Sequence, residues 1–224
     1  MKIEFKAIIF DMDGTIVDTE HIWVNATNNL IKSKGVEYPI ELQVEVNRLT
    51  HGLAIHKSCK IIKDLMKLED TLESLMQEKS NIASSLYQDG IKFIEGFEEF
   101  HKLVMEHNLK TGIATNADDR TLTITDQKLQ LNRFFGEHIY NISRVNNVCK
   151  PDPAIYLHAA EKLEISPINC IAIEDSAHGV KAAKAAGMYC IGINTHGKSE
   201  QIKDADEIVD GFAQINLKKL LNIK

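Results

Sequence analysis

Two aspartates stand one residue apart directly after a short apolar run near the start of the chain. The run AIIF covers residues 7–10, and DMDGT follows it over residues 11–15. Side chains at positions i and i+2 of an extended chain point to the same side, so the carboxylates of Asp11 and Asp13 would repel each other. An Asp-rich turn in which Gly14 supplies a positive φ would explain the motif structurally. We favour the alternative, which is a functional acid pair whose charge is compensated by a cation.

A second pair of acids follows another apolar run. CIAI, over residues 170–173, is followed by Glu174 and Asp175. If both pairs lie at one edge of a sheet, their carboxylates converge, which would be strongly destabilising without a hard, oxygen-binding cation. Mg²⁺ fits best, because proteins hold it through one or two carboxylates, backbone oxygen and water, which leaves a position for a phosphate oxygen. The acids therefore predict a magnesium site that receives a phosphate group.

Two further segments offer groups that bind phosphate. Thr115 follows the run TGIA, and its hydroxyl, together with the backbone N–H groups from Asn116 onward, could bind phosphoryl oxygens beside a helix that starts near Asp118. Lys150 precedes a proline in CKPDP and is the natural counter-charge for phosphate. Alone, each is better explained as a strand threonine and a surface lysine. Their place beside the acids makes them candidate ligands.

One motif supports a competing function. GINTHGKS, which begins at Gly192 and ends at Ser199, satisfies the phosphate-loop pattern of nucleoside triphosphatases. Such a loop should follow a strand and open a helix, whereas we expect Gly192 within a strand and only a short helical turn afterwards. No long apolar strand ending in Asp follows to hold the magnesium ion of such an enzyme. A nucleoside triphosphatase therefore stays as an alternative of lower rank.

The segment after the first acid pair contains two histidines and the single tryptophan. His51 and His56 stand five residues apart, which does not place both on one helical face. We therefore expect loop or surface histidines rather than a zinc site. Trp23 falls shortly after the acid motif, and packing explains it better than contact with a ligand.

The elements that must position these groups form an alternating series. The apolar runs AIIF, KTGIAT, HIYNI, CIAIE, MYCIGIN and EIVD alternate with helical segments over residues 118–130, 153–163 and 177–186, and Gly187 follows the last as a C-terminal cap. This order predicts an α/β fold with a Rossmann-like parallel sheet. Ligands of such sheets bind beyond the carboxyl ends of the strands, where the candidate residues stand.

One long interval interrupts the alternation. Residues 19–87 contain no strand-like run, and in the stretch DLMKLEDTLESLMQEKSNIASSLY five apolar residues are expected on one helical face: Leu65, Leu68, Leu72, Leu75 and Met76. The interval predicts an inserted α-helical cap domain over residues 18–89. The catalytic core would comprise residues 1–17 and 90–224, with the glycine-containing YQDGIKFIEGF as the second linker.

Composition limits the classes of protein. The chain has 224 residues, of which 44% are hydrophobic and 26% charged, with a formal net charge of −6. No apolar run approaches the roughly 18 residues of a membrane-spanning helix, and MKIEFKAIIFD is not a signal peptide, so we expect a cytoplasmic protein without membrane contact. Dispersed basic residues argue against nucleic acid as a partner. The cysteines have no CxxC spacing and are expected to be reduced: Cys59, Cys149, Cys170 and Cys190.

DMDGT, ATNA, CKPDP and IEDSAHGV, in this order, resemble the signature motifs of the haloacid dehalogenase superfamily. The resemblance runs from residue 8 to about residue 210 and is closest to the branch of phosphatases and β-phosphoglucomutases whose members carry a helical cap. It implies that Asp11 is the nucleophile that forms an aspartyl-phosphate, and that Asp13 protonates the leaving group and then activates water. Dehalogenation is disfavoured because that branch lacks the second aspartate.

The resemblance also implies the ligands. Magnesium would be held by Asp11, by the main-chain carbonyl of Asp13, and by Asp175 and Glu174. The transferring phosphoryl group would be bound by three residues: Thr115, Asn116 and Lys150.

The substrate is expected to be a small phosphate ester, most simply a sugar monophosphate. β-Phosphoglucomutases carry G-x-S-R in the cap, and alignment on Gly52 gives GLAI, with Ala54 and Ile55 in place of Ser and Arg. This departure favours a phosphatase over a mutase, which stays open, as does a catalytically silent binding protein with the same fold. We expect a monomer whose specificity resides in the cap, with four candidate residues: Trp23, His51, Gly52 and His56.

Overall fold

A computed structural model describes residues 3–88, 90–197 and 199–222. Its centre is a six-stranded sheet in the order β3-β2-β1-β4-β5-β6, in which every neighbouring pair is parallel. The strands are Ala7–Phe10 (β1), Lys110–Thr115 (β2), Ile139–Asn141 (β3), Cys170–Glu174 (β4), Tyr189–Ile193 (β5) and Glu207–Val209 (β6). The predicted α/β class with a parallel Rossmann-like sheet is confirmed, and each strand falls within one of the predicted apolar runs.

Helices lie on both faces of the sheet and in the interval after β1. Their bounds are Glu20–Ser33 (α1), Ile40–Thr50 (α2), Ile55–Met66 (α3), Leu72–Gln88 (α4), Phe97–Glu106 (α5), Asp119–Leu129 (α6), Asn132–Phe135 (α7), Ala154–Lys162 (α8), Ala177–Ala185 (α9) and Leu217–Leu220 (α10). Short 3₁₀ turns cover Ile142–Val145, Pro167–Asn169, Ser199–Ile202 and Phe212–Gln214. No helix of the described ranges combines the length and apolar character that crossing a membrane requires.

The sheet separates two apolar layers. Side chains alternate across β1, so that Ile8 and Phe10 enter one layer with Phe97 of α5, whereas Ile9 enters the other with Tyr156 of α8. All of β1 is fully buried. A strand covered on both faces is apolar at every position, which is why AIIF shows no polar alternation.

Helices α1–α4 form their own apolar cluster around Leu30, Val46, Cys59, Ile62 and Leu75. The linkers that lead into and out of this helical unit run side by side. The N–H of Asp18 donates to the carbonyl of Lys92, and the N–H of Ile94 donates to that of Ile16. The cap boundaries at residues 18 and 89 stay a prediction, and Asp89 lies outside the described residues.

The expectation of one apolar helical face across α3 and α4 is wrong. Helix α3 ends at Met66, and Lys67 adopts the left-handed conformation with φ of +51°. The ammonium of Lys63 then donates to the carbonyls of Leu68 and Asp70, which closes the turn before α4. Leu65 is consequently 40% exposed, although Leu68 and Leu75 are buried.

Candidate functional site

The candidate residues converge where the order of the strands reverses. Strand β1 lies between β2 and β4, and the chain leaves these three strands at Asp11, Thr115 and Glu174. Crevices at the carboxyl ends of parallel strands are the usual ligand sites of this architecture.

Lys150 joins two of the acids. Its ammonium lies 2.5 Å from Oδ1 of Asp11 and 2.6 Å from Oε1 of Glu174, and its side chain is 1% exposed. Its backbone N–H donates to Oδ1 of Asn116, which fixes the loop before α8. Burial alone would lower the pKa of Lys150, but attraction and hydrogen bonds from Asp11 and Glu174 outweigh it and raise the pKa. Lys150 is therefore a permanently charged group.

Three carboxylates form a cluster that could hold a metal ion. Each of Asp11, Glu174 and Asp175 is buried, and an oxygen of each lies within 4.8 Å of the others. Burial, opposed by Lys150 and reinforced by Glu174 and Asp175, raises the pKa of Asp11 well above its ordinary value. The three buried acids share one buried ammonium, so a further cation would stabilise the cluster. Hard oxygen donors with excess negative charge fit Mg²⁺.

Glu174 is held by partners that the sequence analysis missed. The hydroxyl of Tyr156 donates to Oε1 of Glu174 at 2.7 Å, and the hydroxyl of Ser176 donates to Oε2 at 3.3 Å. A Cβ at position 179 would lie 1.8 Å from Cδ of Glu174, so only glycine fits there. A glycine inside helix α9 costs about 1 kcal/mol relative to alanine, so its presence in the sequence indicates a close approach at this position.

Asp13 faces the helical unit. Its Oδ1 accepts hydrogen bonds from Thr19 (2.7 Å), from the hydroxyl of Tyr87 (2.7 Å) and from the indole of Trp23 (3.4 Å). Burial raises the pKa of Asp13, and these donors oppose the rise. Trp23 is partly buried and packs against Tyr87, as expected, but it also contacts a candidate catalytic carboxylate.

Thr115 and Asn116 lie beside this cluster. The buried hydroxyl of Thr115 accepts a hydrogen bond from the N–H of Ala117, and Asp118 is the N-cap of α6, as the position of the predicted helix requires. The side-chain amide of Asn116 donates to the carbonyl of Gly52 at 2.9 Å. This bond connects the core to the loop after α2.

The loop after α2 touches the acids directly. Nε2 of His51 lies 3.4 Å from Oδ2 of Asp175. Burial lowers the pKa of His51, but the hydrogen bond and charge of Asp175, with Asp11 and Glu174, raise it overall. A Cβ at Gly52 would lie 2.5 Å from Cβ of Ser176, so the loop packs closely on the core. His56 does not join the site and lines a separate surface depression.

A cavity of about 110 Å³ lies between the core and the helical unit. Its core side includes Asp11, Asp13 and Thr115, and the opposite side includes Trp23 and Lys79.

Lys79 was missed by the sequence analysis. Its ammonium donates to the hydroxyl of Ser58 at 3.0 Å, the side chain is 3% exposed, and burial lowers its pKa to about 8. The signal was present, because Lys79 stands four residues from both Leu75 and Ala83 within the buried stripe of α4.

The phosphate-loop alternative does not match the structure. Gly192 lies within β5, and the next helical element among the described residues is the 3₁₀ turn Ser199–Ile202, whereas a phosphate loop opens a full helix. Lys198, the lysine of that pattern, lies outside the described residues. The hydroxyl of Thr195 donates to the carbonyl of Gly14, so this loop contacts the acid motif.

Comparisons with known proteins agree with this geometry. The family model of the haloacid dehalogenase-like hydrolases matches residues 8–193, and the chain therefore belongs to that family. A phosphorylated carbohydrates phosphatase of Thermotoga maritima is 27% identical over 97% of both chains. A β-phosphoglucomutase of Bacillus subtilis is 27% identical over 96% of this chain and 93% of its own. A crystal structure of β-phosphoglucomutase from Clostridium difficile superimposes with a TM-score of 0.82 and 26% identity, over 98% and 96% of the two chains.

Proposed function

We propose that this hydrolase is a magnesium-dependent phosphatase that cleaves a small organic monophosphate, most simply a sugar phosphate. The observation that carries the proposal is the arrangement of Lys150 between Asp11 and Glu174, with Asp13 at the same cavity. A nucleophile, a proton carrier and a fixed cation are the groups that phosphoryl transfer through a covalent intermediate requires. The phosphatase of Thermotoga maritima, similar over almost the whole chain, supports the same substrate class.

Asp11 attacks phosphorus in line and forms an aspartyl-phosphate. Asp13 gives its proton to the departing oxygen, and then takes a proton from the water that hydrolyses the intermediate. Thr115, Asn116 and Lys150 bind the oxygens of the transferring group, and Lys150 neutralises charge that increases in the transition state.

The cation site uses residues of the same edge. Asp11, Glu174 and Asp175 would hold Mg²⁺, with the main-chain carbonyl of Asp13 as a further oxygen ligand. When bound, the ion supplies positive charge that screens the carboxylate of Asp11 from the phosphate.

The helical unit over residues 18–89 acts as a cap in this proposal. His51 and Gly52 reach the core through Asp175 and Asn116, and Trp23 reaches Asp13. A cap that closes over the cavity excludes water and selects the substrate. His56, which lies outside the cavity, has no part in this selection.

A β-phosphoglucomutase-like mutase is the second candidate, since relatives of that name cover nearly the whole chain. A mutase must bind a second phosphate in the cap. Ala54 and Ile55, which replace the Ser and Arg of the mutase motif, are apolar, and Ala54 packs against Ile142 and Cys149. The motif therefore offers no cation for a second phosphate at this position, which favours the phosphatase.

The test is the release of phosphate from para-nitrophenyl phosphate with and without Mg²⁺. We expect magnesium-dependent release that is abolished in Asp11→Asn. The matched control is Asp64→Asn, an exposed position on α3 that should retain full activity.

Absence of release would contradict the phosphatase. Transfer of phosphate from a sugar bisphosphate would then identify a mutase, and no turnover in either assay would identify a binding protein.

A further inference from the structure

Tyr87 reaches the acid motif from the far end of the helical unit. It stands in the last turn of α4, is 1% exposed, and its hydroxyl donates to Oδ1 of Asp13 at 2.7 Å. The proposed function gives Asp13 a proton to deliver but does not say which of its two oxygens carries it. The contacts of Tyr87 bear on that question.

Three side chains donate hydrogen bonds to the same oxygen of the Asp13 carboxylate. Thr19, Trp23 and Tyr87 donate to Oδ1, and within residues 3–88, 90–197 and 199–222 the second oxygen, Oδ2, has no hydrogen-bond partner. An oxygen whose lone pairs accept these N–H and O–H groups has no free direction in which to carry a donating proton. A proton on Asp13 therefore belongs on Oδ2.

Two of these donors come from the helices of the proposed cap. Trp23 lies on α1 and Tyr87 on α4, and their rings meet edge to face with centroids 6.2 Å apart. Each supports the other, because the indole and phenol must be packed together for both to reach Oδ1. Thr19, by contrast, belongs to the linker just before α1.

We propose that Tyr87, supported by Trp23, is a positioning residue that fixes the carboxyl of Asp13 so that Oδ2 delivers and receives the proton. This inference rests on the proposed phosphatase. In the first step the bond from Asp11 to phosphorus forms, the ester P–O bond breaks, and the proton of Oδ2 moves to the leaving oxygen. In the second step the oxygen of water bonds to phosphorus, the bond to Asp11 breaks, and a proton of water returns to Oδ2.

The test compares two esters of nearly the same shape. Phenyl phosphate releases phenol, whose pKa is about 10 like that of a tyrosine side chain, and so depends strongly on proton delivery. Para-nitrophenyl phosphate releases a much more acidic phenol and depends on it less. The ratio kcat/KM reports the steps up to loss of the leaving group, so slow hydrolysis of the intermediate does not mask the difference.

We expect Tyr87→Phe to lower kcat/KM for phenyl phosphate by about tenfold, as loss of one hydrogen bond to a charged group does. The loss for para-nitrophenyl phosphate should be at least about fivefold smaller. Trp23→Phe, which keeps a ring but removes the N–H donor, should show the same selectivity with a smaller amplitude, because its bond to Oδ1 is longer. The matched control is Tyr38→Phe, whose hydroxyl donates to Asn28 away from the cavity.

Equal losses for both esters, or no loss, would overturn the role of Tyr87 while leaving the phosphatase intact. Failure of the unmodified protein to hydrolyse either ester would overturn the proposed function and the role of Tyr87 together. A double-mutant cycle of Tyr87→Phe and Asp13→Ala on the unfolding equilibrium adds a readout without turnover. Strict additivity in that cycle would show that the contact does not form, and would overturn the inference.

Discussion

Gly14 lies directly against the carboxylate of Asp175. A Cβ at position 14 would stand 2.1 Å from Oδ2 of Asp175, and Gly14 has a φ of +82°. The glycine that follows the two aspartates is therefore required twice, for its backbone conformation and for the space that it leaves. It brings the turn after β1 into contact with the end of β4, where the acid cluster is assembled.

Replacement of Gly14 by Ala should displace Asp175. We expect phosphate release to fall by about 100-fold or more, since a shift of about 1 Å in a catalytic group has that effect. Steady-state kinetics at several magnesium concentrations would measure the loss. Gly35→Ala is the control, because Gly35 has a comparable φ of +67° with nothing within 4 Å. Equal losses in the two variants would mean that backbone strain, and not the position of Asp175, is responsible.

Removal of the Lys150 charge should destabilise the fold. Lys150→Met leaves the carboxylates of Asp11 and Glu174 without their buried partner, and we expect the free energy of unfolding to fall by about 3–5 kcal/mol. Added Mg²⁺ should restore part of this loss, because in the proposed function it binds the cluster, which exists only in the folded state. Urea unfolding with and without Mg²⁺ measures both effects.

The control for Lys150 is an ion pair at the surface. Lys184 pairs with Asp206 while its side chain is 40% exposed, so Lys184→Met should cost less than about 1 kcal/mol and respond to no metal. If both variants lost equally little stability, the three carboxylates would not carry the charge that the structure implies.

The sheet could be predicted because buried parallel strands are continuous apolar runs. Ile8 and Ile9 have no exposed surface, and the same is true of Ile171 and Ile173 on the neighbouring strand. The core side of the site could be predicted for a related reason, since carboxyl ends of neighbouring parallel strands must meet. Local pattern was sufficient wherever the residues that meet are each attached to the end of a strand.

The far side of the cavity could not be predicted in this way. Tyr87 is 74 positions from Asp13 along the chain, and only the packing of α4 on α1 brings the two together. The break between α3 and α4 was also hidden, because the left-handed residue there is Lys67 rather than a glycine. Helical periodicity indicates which face is buried, but not against which partner it is packed.

His101 should make stability depend on pH below neutrality. It is 5% exposed among Phe97, Phe134 and Phe135, and burial lowers its pKa to about 4 from an ordinary value of 6.5. Between these values the unfolded state binds a proton that the folded state does not, so stability is complete above pH 6.5 and is lost as the pH falls toward 4.

Between pH 7 and pH 5 this histidine should remove about 2 kcal/mol of stability. His101→Gln can keep the contact with Thr111 but does not titrate. Between the two pH values this variant should therefore lose about 2 kcal/mol less stability than the unmodified protein. Urea unfolding at the two pH values gives the comparison. Parallel declines in the two proteins would show that His101 is protonated as readily in the folded state as in the unfolded one.

Lys79 is a buried cation that should oppose folding at neutral pH. Its pKa of about 8 lies below the ordinary 10.5, so the charged side chain is less favourable in the folded state than in water. Lys79→Met should therefore raise the free energy of unfolding at pH 7, by up to about 3 kcal/mol. Ser58 keeps a hydrogen bond without it, since its hydroxyl also donates to the carbonyl of Ile55.

The advantage of Lys79→Met should shrink as the pH rises. Above pH 8 Lys79 loses its proton in the folded protein but keeps it in the unfolded chain. By pH 9.5 the free energy of unfolding of the unmodified protein should therefore rise by about 2 kcal/mol relative to the variant. Lys63→Met is the control, because it removes hydrogen bonds to the carbonyls of Leu68 and Asp70 and should destabilise the protein at pH 7. Destabilisation by Lys79→Met at both pH values would contradict the assignment. A gain in stability would mean that folding does not need this charge. The reason for the presence of Lys79 would then lie in the cavity that it lines.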